Sequence, residues 1–484
     1  MNKSIFKNTI YKSLLSFVNI VVPLLVGPYI VRLLDVELYG VYNKVYANFQ
    51  LFLTFASFGI YTFGVREISK IRNDKKKVSQ LLSNLFLLSF ITNFIVCIIY
   101  TIFAIMSSKD ITTVIYLIMT IQIVGNIFYI EFVNEALENY KFITIKTVIV
   151  KLLYMASLFI FVRKPSDIII YAIIINATVF LNNIISFIYA KKRIKFDFSS
   201  IKIKKYIPSL LMILIITNVD LLYSQLDRVM LGNFVNDVSV TMYYIPYYIV
   251  STLSAIPYSI INVSIPRLSY LIENEGKISY ENMLSKAVSS LLFIIVPMCL
   301  GVFVLSNEVI YLYAGDKYLS IVPVLALACI IRIIISVEST MTNLVMYPNG
   351  QEKRIAKYTL ICGVLNLVLN SVLVLFEVLT PFTAMFTTGI AEITLSTIMY
   401  IYIKRKLKIN YIVFNKQNIL YILLSLLFIP ISFLIKLINF GFWINMILII
   451  VLCMMLYVGV LYIKKDENLF LIFNKLLAKV GRKI

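Results

Sequence analysis

The chain alternates between long apolar stretches and short polar gaps along its whole length. Each stretch holds about 20 mainly apolar residues, the length that a helix needs to cross the hydrocarbon core of a bilayer. The pattern predicts an all-α polytopic membrane protein with fourteen transmembrane helices. The predicted helices occupy residues 12–33, 41–64, 80–106, 112–137, 143–163, 167–190, 207–231, 241–266, 284–305, 319–347, 357–378, 380–403, 417–436 and 440–463.

Lysine and arginine are divided unevenly between the gaps. Most of the 45 lie in the N-terminal tail, in every second gap and in the C-terminal tail. The other gaps hold only Arg32, Lys44, Lys109, Arg163, Lys164, Lys317 and Lys436. On this count, Lys151, Arg228 and Arg332 alone fall inside stretches. Because cytoplasmic loops carry an excess of lysine and arginine, we expect both termini to be cytoplasmic.

Composition excludes an ordinary soluble domain and narrows the chemistry. Of the 484 residues, 60% are hydrophobic and 14% are charged. The net charge of +21 is scattered over short loops and tails, which favours contact with anionic lipid and disfavours nucleic-acid binding. Histidine is absent, and each of the five cysteines lies alone in an apolar stretch. We therefore expect no enzyme, no cofactor and no metal site.

Landmarks in the first half of the chain recur in the second. Tyr42 precedes Arg66 by 24 residues, and Tyr243 precedes Arg267 by the same number. The repeat predicts two parallel six-helix lobes, residues 1–205 and 206–406, followed by a helix pair and basic tail at 407–484. Parallel repeats of this kind are expected to hold a substrate cavity between the halves and to rock around it.

Several charged residues fall within the predicted helices or, like Arg32, near the outer end of one; at mid-membrane each charge costs about 2.5–3.5 kcal/mol to insert. Arg32, Lys151, Arg228 and Arg332 are candidates for binding an anionic headgroup, since arginine donates paired hydrogen bonds to phosphate. Asp220, Glu338 and Glu392 are candidates for coupling to a driving cation. The alternative interpretation is that these charges pair with one another.

A series of short motifs resembles the Wzx-type polysaccharide flippases of the multidrug/oligosaccharidyl-lipid/polysaccharide exporter superfamily. The matches run in order over about residues 10–405. One departure is Asp35, where the family more often has glycine. The motifs are Arg32-Leu33-Leu34-Asp35, Tyr39-Gly40-Val41-Tyr42, Phe58-Gly59-Ile60 running into Gly64-Val65-Arg66-Glu67-Ile68-Ser69-Lys70, Leu226-Asp227-Arg228-Val229-Met230-Leu231-Gly232, Pro266-Arg267-Leu268-Ser269, the pair Asn366 and Asn370, and Gly389-Ile390-Ala391-Glu392.

The resemblance implies a flippase in the bacterial cytoplasmic membrane. It implies that helices one, two, seven and eight line a central cavity. The implied substrate is an undecaprenyl-diphosphate-linked oligosaccharide repeat unit, moved to the outer leaflet for capsule or similar polymer assembly. The expected partners are this lipid, the bilayer, a polysaccharide polymerase and assembly proteins. Arg66, within the motif that begins at Gly64, joins Arg32, Lys151, Arg228 and Arg332 as a candidate substrate-binding residue.

Three alternatives remain open at this point. A membrane glycosyltransferase is suggested by the acidic pair in Asp35-Val36-Glu37, but such enzymes need larger exterior loops than this chain has. A cation-coupled drug exporter would share the two-lobe fold, usually with twelve helices. A lipid II flippase would share both the fourteen helices and the cationic cavity.

Overall fold

The computed structural model describes residues 3–107, 110–218, 221–438 and 440–479. Regular structure in these residues is helical, without a β-strand, which confirms the all-α fold class. The chain divides into two compact units, Met1–Thr241 and Met242–Ile484. The lobe boundaries at 205–206 and 406–407 stay a prediction.

In the first unit, helices of very different length follow one another. The two shortest continue neighbouring helices after a break, α3 after α2 and α6 after α5. The helices are α1 (Lys3–Leu33), α2 (Val36–Ser57), α3 (Ile60–Ile71), α4 (Lys75–Ser107), α5 (Ile111–Asn126), α6 (Glu131–Ala136), α7 (Tyr140–Phe161), α8 (Ile168–Arg193), α9 (Ile203–Asn218) and α10 (Leu221–Phe234).

The second unit is built from the helices that follow. Helix α11 begins in the first unit and continues in the second, and α14 ends in a π-helical turn. The helices are α11 (Asp237–Asn274), α12 (Lys277–Val304), α13 (Ser306–Ala314), α14 (Val322–Thr340), α15 (Glu352–Leu375), α16 (Pro381–Tyr402), α17 (Lys416–Leu426), α18 (Phe428–Ile438), α19 (Phe442–Ile463) and α20 (Glu467–Lys479).

The predicted number of fourteen membrane spans is not confirmed. Within the described residues, 12 helical segments are long and apolar enough to cross a bilayer. Of the other two predicted stretches, 41–64 is interrupted as a helix, and 207–231 is described only on either side of residues 219–220. The second of them falls on α9 and α10, and residues 219–220 between these helices lie outside the described ranges.

The interruption of the stretch 41–64 has a local cause. Phe58 and Gly59 both adopt the left-handed conformation, with φ of 48° and 69°. Phe58 ends α2 and Gly59 precedes the first residue of α3. Consecutive left-handed residues cannot continue a right-handed helix, so the apolar run bends here although its composition does not change.

Helix α2 is packed tightly inside the first unit, against α4, α5 and α10. A Cβ atom at Gly40 would lie 2.5 Å from the carbonyl oxygen of Asp237, so only glycine fits this approach. Beside it, Lys44 forms an ion pair with Asp237 at 2.9 Å. The amide of Asn43 donates to the Thr241 hydroxyl at 2.8 Å. These contacts fix the beginning of α11 against α2.

In the second unit, α14 packs against α12 on one side and α16 on the other. Helix α12 is the most deeply buried of the candidate membrane spans. Protein therefore encloses much of the surface of α14. Arg332, a charged residue of this helix, is buried there.

Candidate functional site

Arg332 is held inside the second unit by residues of α11. Its side chain is 7% exposed. One terminal nitrogen, Nη2, donates to the Ser251 hydroxyl, and the guanidinium carbon lies 5.6 Å from the centre of the Tyr247 ring. A cation above an aromatic face is stabilised by the ring quadrupole, so both contacts orient the guanidinium without neutralising it.

Hydroxyl groups complete the surroundings of this cation. The Tyr258 hydroxyl interacts with the guanidinium of Arg332 and lies 3.2 Å from the Ser336 hydroxyl. Ser336, one turn further along α14, donates to the carbonyl oxygen of Arg332 at 2.7 Å. Helices α11 and α14 thus bring three hydroxyl groups and one guanidinium into one small region.

The charge of Arg332 has no counterion within the described residues. No carboxylate there lies within ion-pair distance of its guanidinium, although buried pairs such as Lys146–Glu131 occur elsewhere in the chain. Its Nε is buried and has no hydrogen-bond acceptor. A buried cation with an unused donor is costly, and an anionic ligand would satisfy both. The arrangement suits phosphate, because guanidinium and hydroxyl groups can donate to its oxygens together.

The other four predicted cations lie in different environments within the first unit. Arg228 is buried on α10, with its Nη2 2.5 Å from the Gln225 side-chain oxygen and with buried Asp227 as its neighbour in sequence. Lys151 is half-buried on α7. Arg32 and Arg66 are exposed, and Arg66 forms an ion pair with Glu67 at 2.8 Å. Burial thus separates Arg228 and Arg332 from the rest, and substrate binding by any of the five stays a prediction.

Two of the three predicted ion-coupling carboxylates lie in the described residues, on different helices. Glu338 accepts a hydrogen bond from the Thr342 hydroxyl at the end of α14. Glu392 is buried on α16, with 8% of its surface exposed. Asp220 lies outside the described residues. A role for these three in coupling also stays a prediction.

Sequence reasoning missed a buried ion pair in the first unit. Counting by gaps placed Lys146 with the basic loop before the fifth stretch, but it lies within α7 and its side chain is 2% exposed. Its Nζ lies 3.0 Å from Glu131 on α6 and donates to Ser186 on α8 at 2.6 Å. Ser186 in turn donates to the second Glu131 oxygen. The three side chains join three helices, which indicates a structural role.

Comparison with known proteins identifies the family. Residues 5–272, more than half of the chain, match the model of a family described as "Polysaccharide biosynthesis protein". The chain belongs to this family. The match confirms at family level the resemblance to Wzx-type flippases, and with the 12 apolar helices it makes the chain an integral, multi-pass membrane protein.

Two curated proteins that are similar to this chain are both named "Putative O-antigen transporter". The one from Escherichia coli K12 is 24% identical over 402 residues, covering 81% of this chain and 93% of the relative. The one from Shigella dysenteriae is 22% identical over 370 residues, covering 75% and 91%. These alignments span nearly the full length of both relatives.

A solved structure shows the same fold. The lipid II flippase MurJ in an inward closed conformation matches with a TM-score of 0.68 over 95% of this chain and 99% of its own. Sequence identity is 17%, so the similarity establishes the fold alone. The similarity supports the predicted all-α membrane fold.

Proposed function

We propose that this protein is a flippase for undecaprenyl-diphosphate-linked oligosaccharide repeat units. It moves them from the inner to the outer leaflet of the bacterial cytoplasmic membrane by alternating access, for assembly of a capsular or other surface polysaccharide. Both termini are cytoplasmic in this proposal, and a polymerase and assembly proteins receive the product. The family match and the transporter relatives support the substrate class.

The observation that carries the proposal is the uncompensated charge of Arg332. A cation at the centre of a membrane helix costs about 2.5–3.5 kcal/mol on insertion scales. A purely structural arginine in such a place is normally paired, as Lys146 is with Glu131. A diphosphate group brings the missing negative charge, and the hydroxyls of Ser251 and Tyr258 add donors beside it.

The same observation disfavours export of cationic drugs. A cationic ligand beside Arg332 would meet like charge without an intervening carboxylate, which is unfavourable at low dielectric. The glycosyltransferase alternative receives no support from the relatives, which are named as transporters. A lipid II flippase would bind the same diphosphate, so the sugar-containing product must separate the two.

The test is a strain depleted of this protein and complemented with variants. Without complementation, surface polysaccharide should disappear while full-length lipid-linked repeat units accumulate at the cytoplasmic leaflet. Arg332→Gln should fail to restore the polymer, and Arg332→Lys should restore part of it because the charge is kept. The matched control is Arg354→Gln, since Arg354 also stacks on a tyrosine, 4.8 Å from the Tyr402 ring centre, but is exposed.

Three results would contradict the proposal. Normal polymer with altered resistance to cationic drugs would indicate an exporter. Accumulation of truncated repeat units would indicate a glycosyltransferase. Intact surface polymer with accumulation of lipid II would indicate a role in peptidoglycan synthesis.

A further inference from the structure

A groove with mostly apolar walls opens on the second unit, and Arg332 is not among its lining residues. Its volume is about 580 Å³, within the range of pockets that hold a ligand. Helices α12, α14, α16 and α17 line it together with the segment 408–415. The apolar part of the lining includes Leu292, Val296, Ile333, Ile334 and Val337.

The segment 408–415 is fixed in place, so the groove is formed before any ligand arrives. The backbone N–H of Asn410 donates to Glu281 at 2.7 Å, and Lys277 donates to the carbonyl oxygen of Lys408. The Tyr411 hydroxyl shares a hydrogen bond with Thr340 and lies 3.3 Å from the carbonyl oxygen of Val337. These contacts attach the segment to the beginning of α12 and the end of α14.

The groove has a cationic residue in its lining. Lys404 lines it, with its Nζ 5.8 Å from the centre of the Tyr400 ring. Within the described residues Lys404 forms no ion pair, and Glu281, the nearby carboxylate on α12, is already engaged by Lys277 and by the Asn410 N–H. Arg405, Lys406 and Lys408 follow Lys404 directly in the chain. The chain around Lys404 therefore carries an excess of positive charge.

A polar group inside the groove also lacks a partner. Ser396 is one of the residues that line the groove, and its hydroxyl is buried without a hydrogen-bond partner within the described residues. A buried hydroxyl without a partner is uncommon in a folded protein. A ligand carrying ester or phosphate oxygens next to its hydrocarbon would provide the acceptor.

We propose that this groove binds a membrane phospholipid with an anionic headgroup. An acyl chain lies along the apolar walls, the phosphate contacts Lys404, and a glycerol ester oxygen accepts from Ser396. Apolar walls accommodate the chain, and a lysine suits the phosphate as a point charge. The neighbouring basic residues favour lipids of the negatively charged leaflet over zwitterionic ones. This site does not depend on the transported substrate.

The test is native mass spectrometry of the full-length protein released from nanodiscs made of equal parts phosphatidylglycerol and phosphatidylcholine. The wild-type protein should retain phosphatidylglycerol preferentially. Lys404→Gln should lower this retention by at least about tenfold, the ratio that corresponds to the loss of one charge-assisted hydrogen bond to phosphate. Arg405→Gln is the matched control, because Arg405 belongs to the same basic run but does not line the groove.

A second pair of variants tests the hydrocarbon part. Ile334→Trp fills the groove and should reduce retention, whereas Ile330→Trp, one turn earlier on the same face of α14 but outside the groove lining, should not. An equal loss with Arg405→Gln would show general surface attraction and overturn the proposal. Equal retention of both phospholipids would overturn it too, as would preferential retention of added undecaprenyl phosphate over phosphatidylglycerol.

Discussion

Removal of one partner from the Glu131–Lys146 pair should destabilise the first unit strongly. The side chains are 11% and 2% exposed, and the two charged groups lie 3.0 Å apart. In Lys146→Met the Glu131 carboxylate loses its cation while it remains buried, which costs about 3–5 kcal/mol. Glu131→Gln leaves Lys146 without its counterion and should cost a similar amount.

The double variant should be far more stable than the sum of the single effects predicts. Neither charge remains, and the residual cost is the hydrogen bonding of Ser186, about 1 kcal/mol. The coupling energy in the double-mutant cycle should therefore be several kcal/mol. The control cycle uses Arg72 and Glu138, a pair at 2.7 Å whose side chains are 50% and 52% exposed. There we expect a coupling of about 0–1 kcal/mol.

The measurement is the free energy of unfolding in mixed detergent micelles, followed by far-ultraviolet circular dichroism. Single variants of the buried pair that unfold within about 1 kcal/mol of the wild type would refute the reasoning, since this is the range of exposed pairs. Strict additivity in the double variant would refute it as well, because it would show that the two side chains do not interact.

Two further predictions concern the packing of α2 and the ends of helices. Gly40→Ala should lower the free energy of unfolding by about 1–3 kcal/mol, because the added Cβ would collide with the Asp237 backbone. The control is Gly459→Ala, where no atom lies within 4 Å of the added Cβ. This variant should be neutral or slightly stabilising in the same unfolding assay. Hydrogen bonds from the Arg163 and Lys164 backbone lower the pKa of the Asp167 carboxyl below its ordinary 3.8. The ionised Asp167 carboxylate should stabilise the folded protein fully above pH 3.8, and this stabilisation should be lost as the pH falls through the lowered pKa. The difference in melting temperature between wild type and Asp167→Asn should therefore shrink on acidification. A difference that stays constant with pH would contradict this.

The sequence predicted the helical fold well because long apolar runs are a strong signal for membrane helices. It did not predict the break at Phe58 and Gly59, because a phenylalanine in an apolar run gives no indication that its φ will be 48°. The break depends on backbone conformation, and hydrophobicity does not report it. For the same reason, hydrophobicity alone predicted fourteen spans, a number that the structure does not confirm.

The site could be predicted only in part, for a reason that Lys146 and Arg332 share. A charge near the end of an apolar stretch is easily assigned to the loop, and Lys146 was assigned in this way. Its burial depends on the ion pair with Glu131, a contact that forms because α6 and α7 place the two side chains together. Arg332 was found because it lies deep within its stretch, but its neighbour Ser251 is 81 residues away in the chain. Such long-range contacts leave no local pattern in the sequence.

The central claim is that Arg332 binds the diphosphate of the transported lipid. The most direct measurement is the rate at which purified protein in liposomes moves lipid-linked intermediates, extracted from the depleted strain, across the bilayer. Loss of one charge-assisted hydrogen bond, about 1.5–3 kcal/mol, predicts a rate for Arg332→Gln at least about tenfold below wild type at limiting substrate. Arg354→Gln should match the wild type. Transport by Arg332→Gln at the wild-type rate would contradict the account.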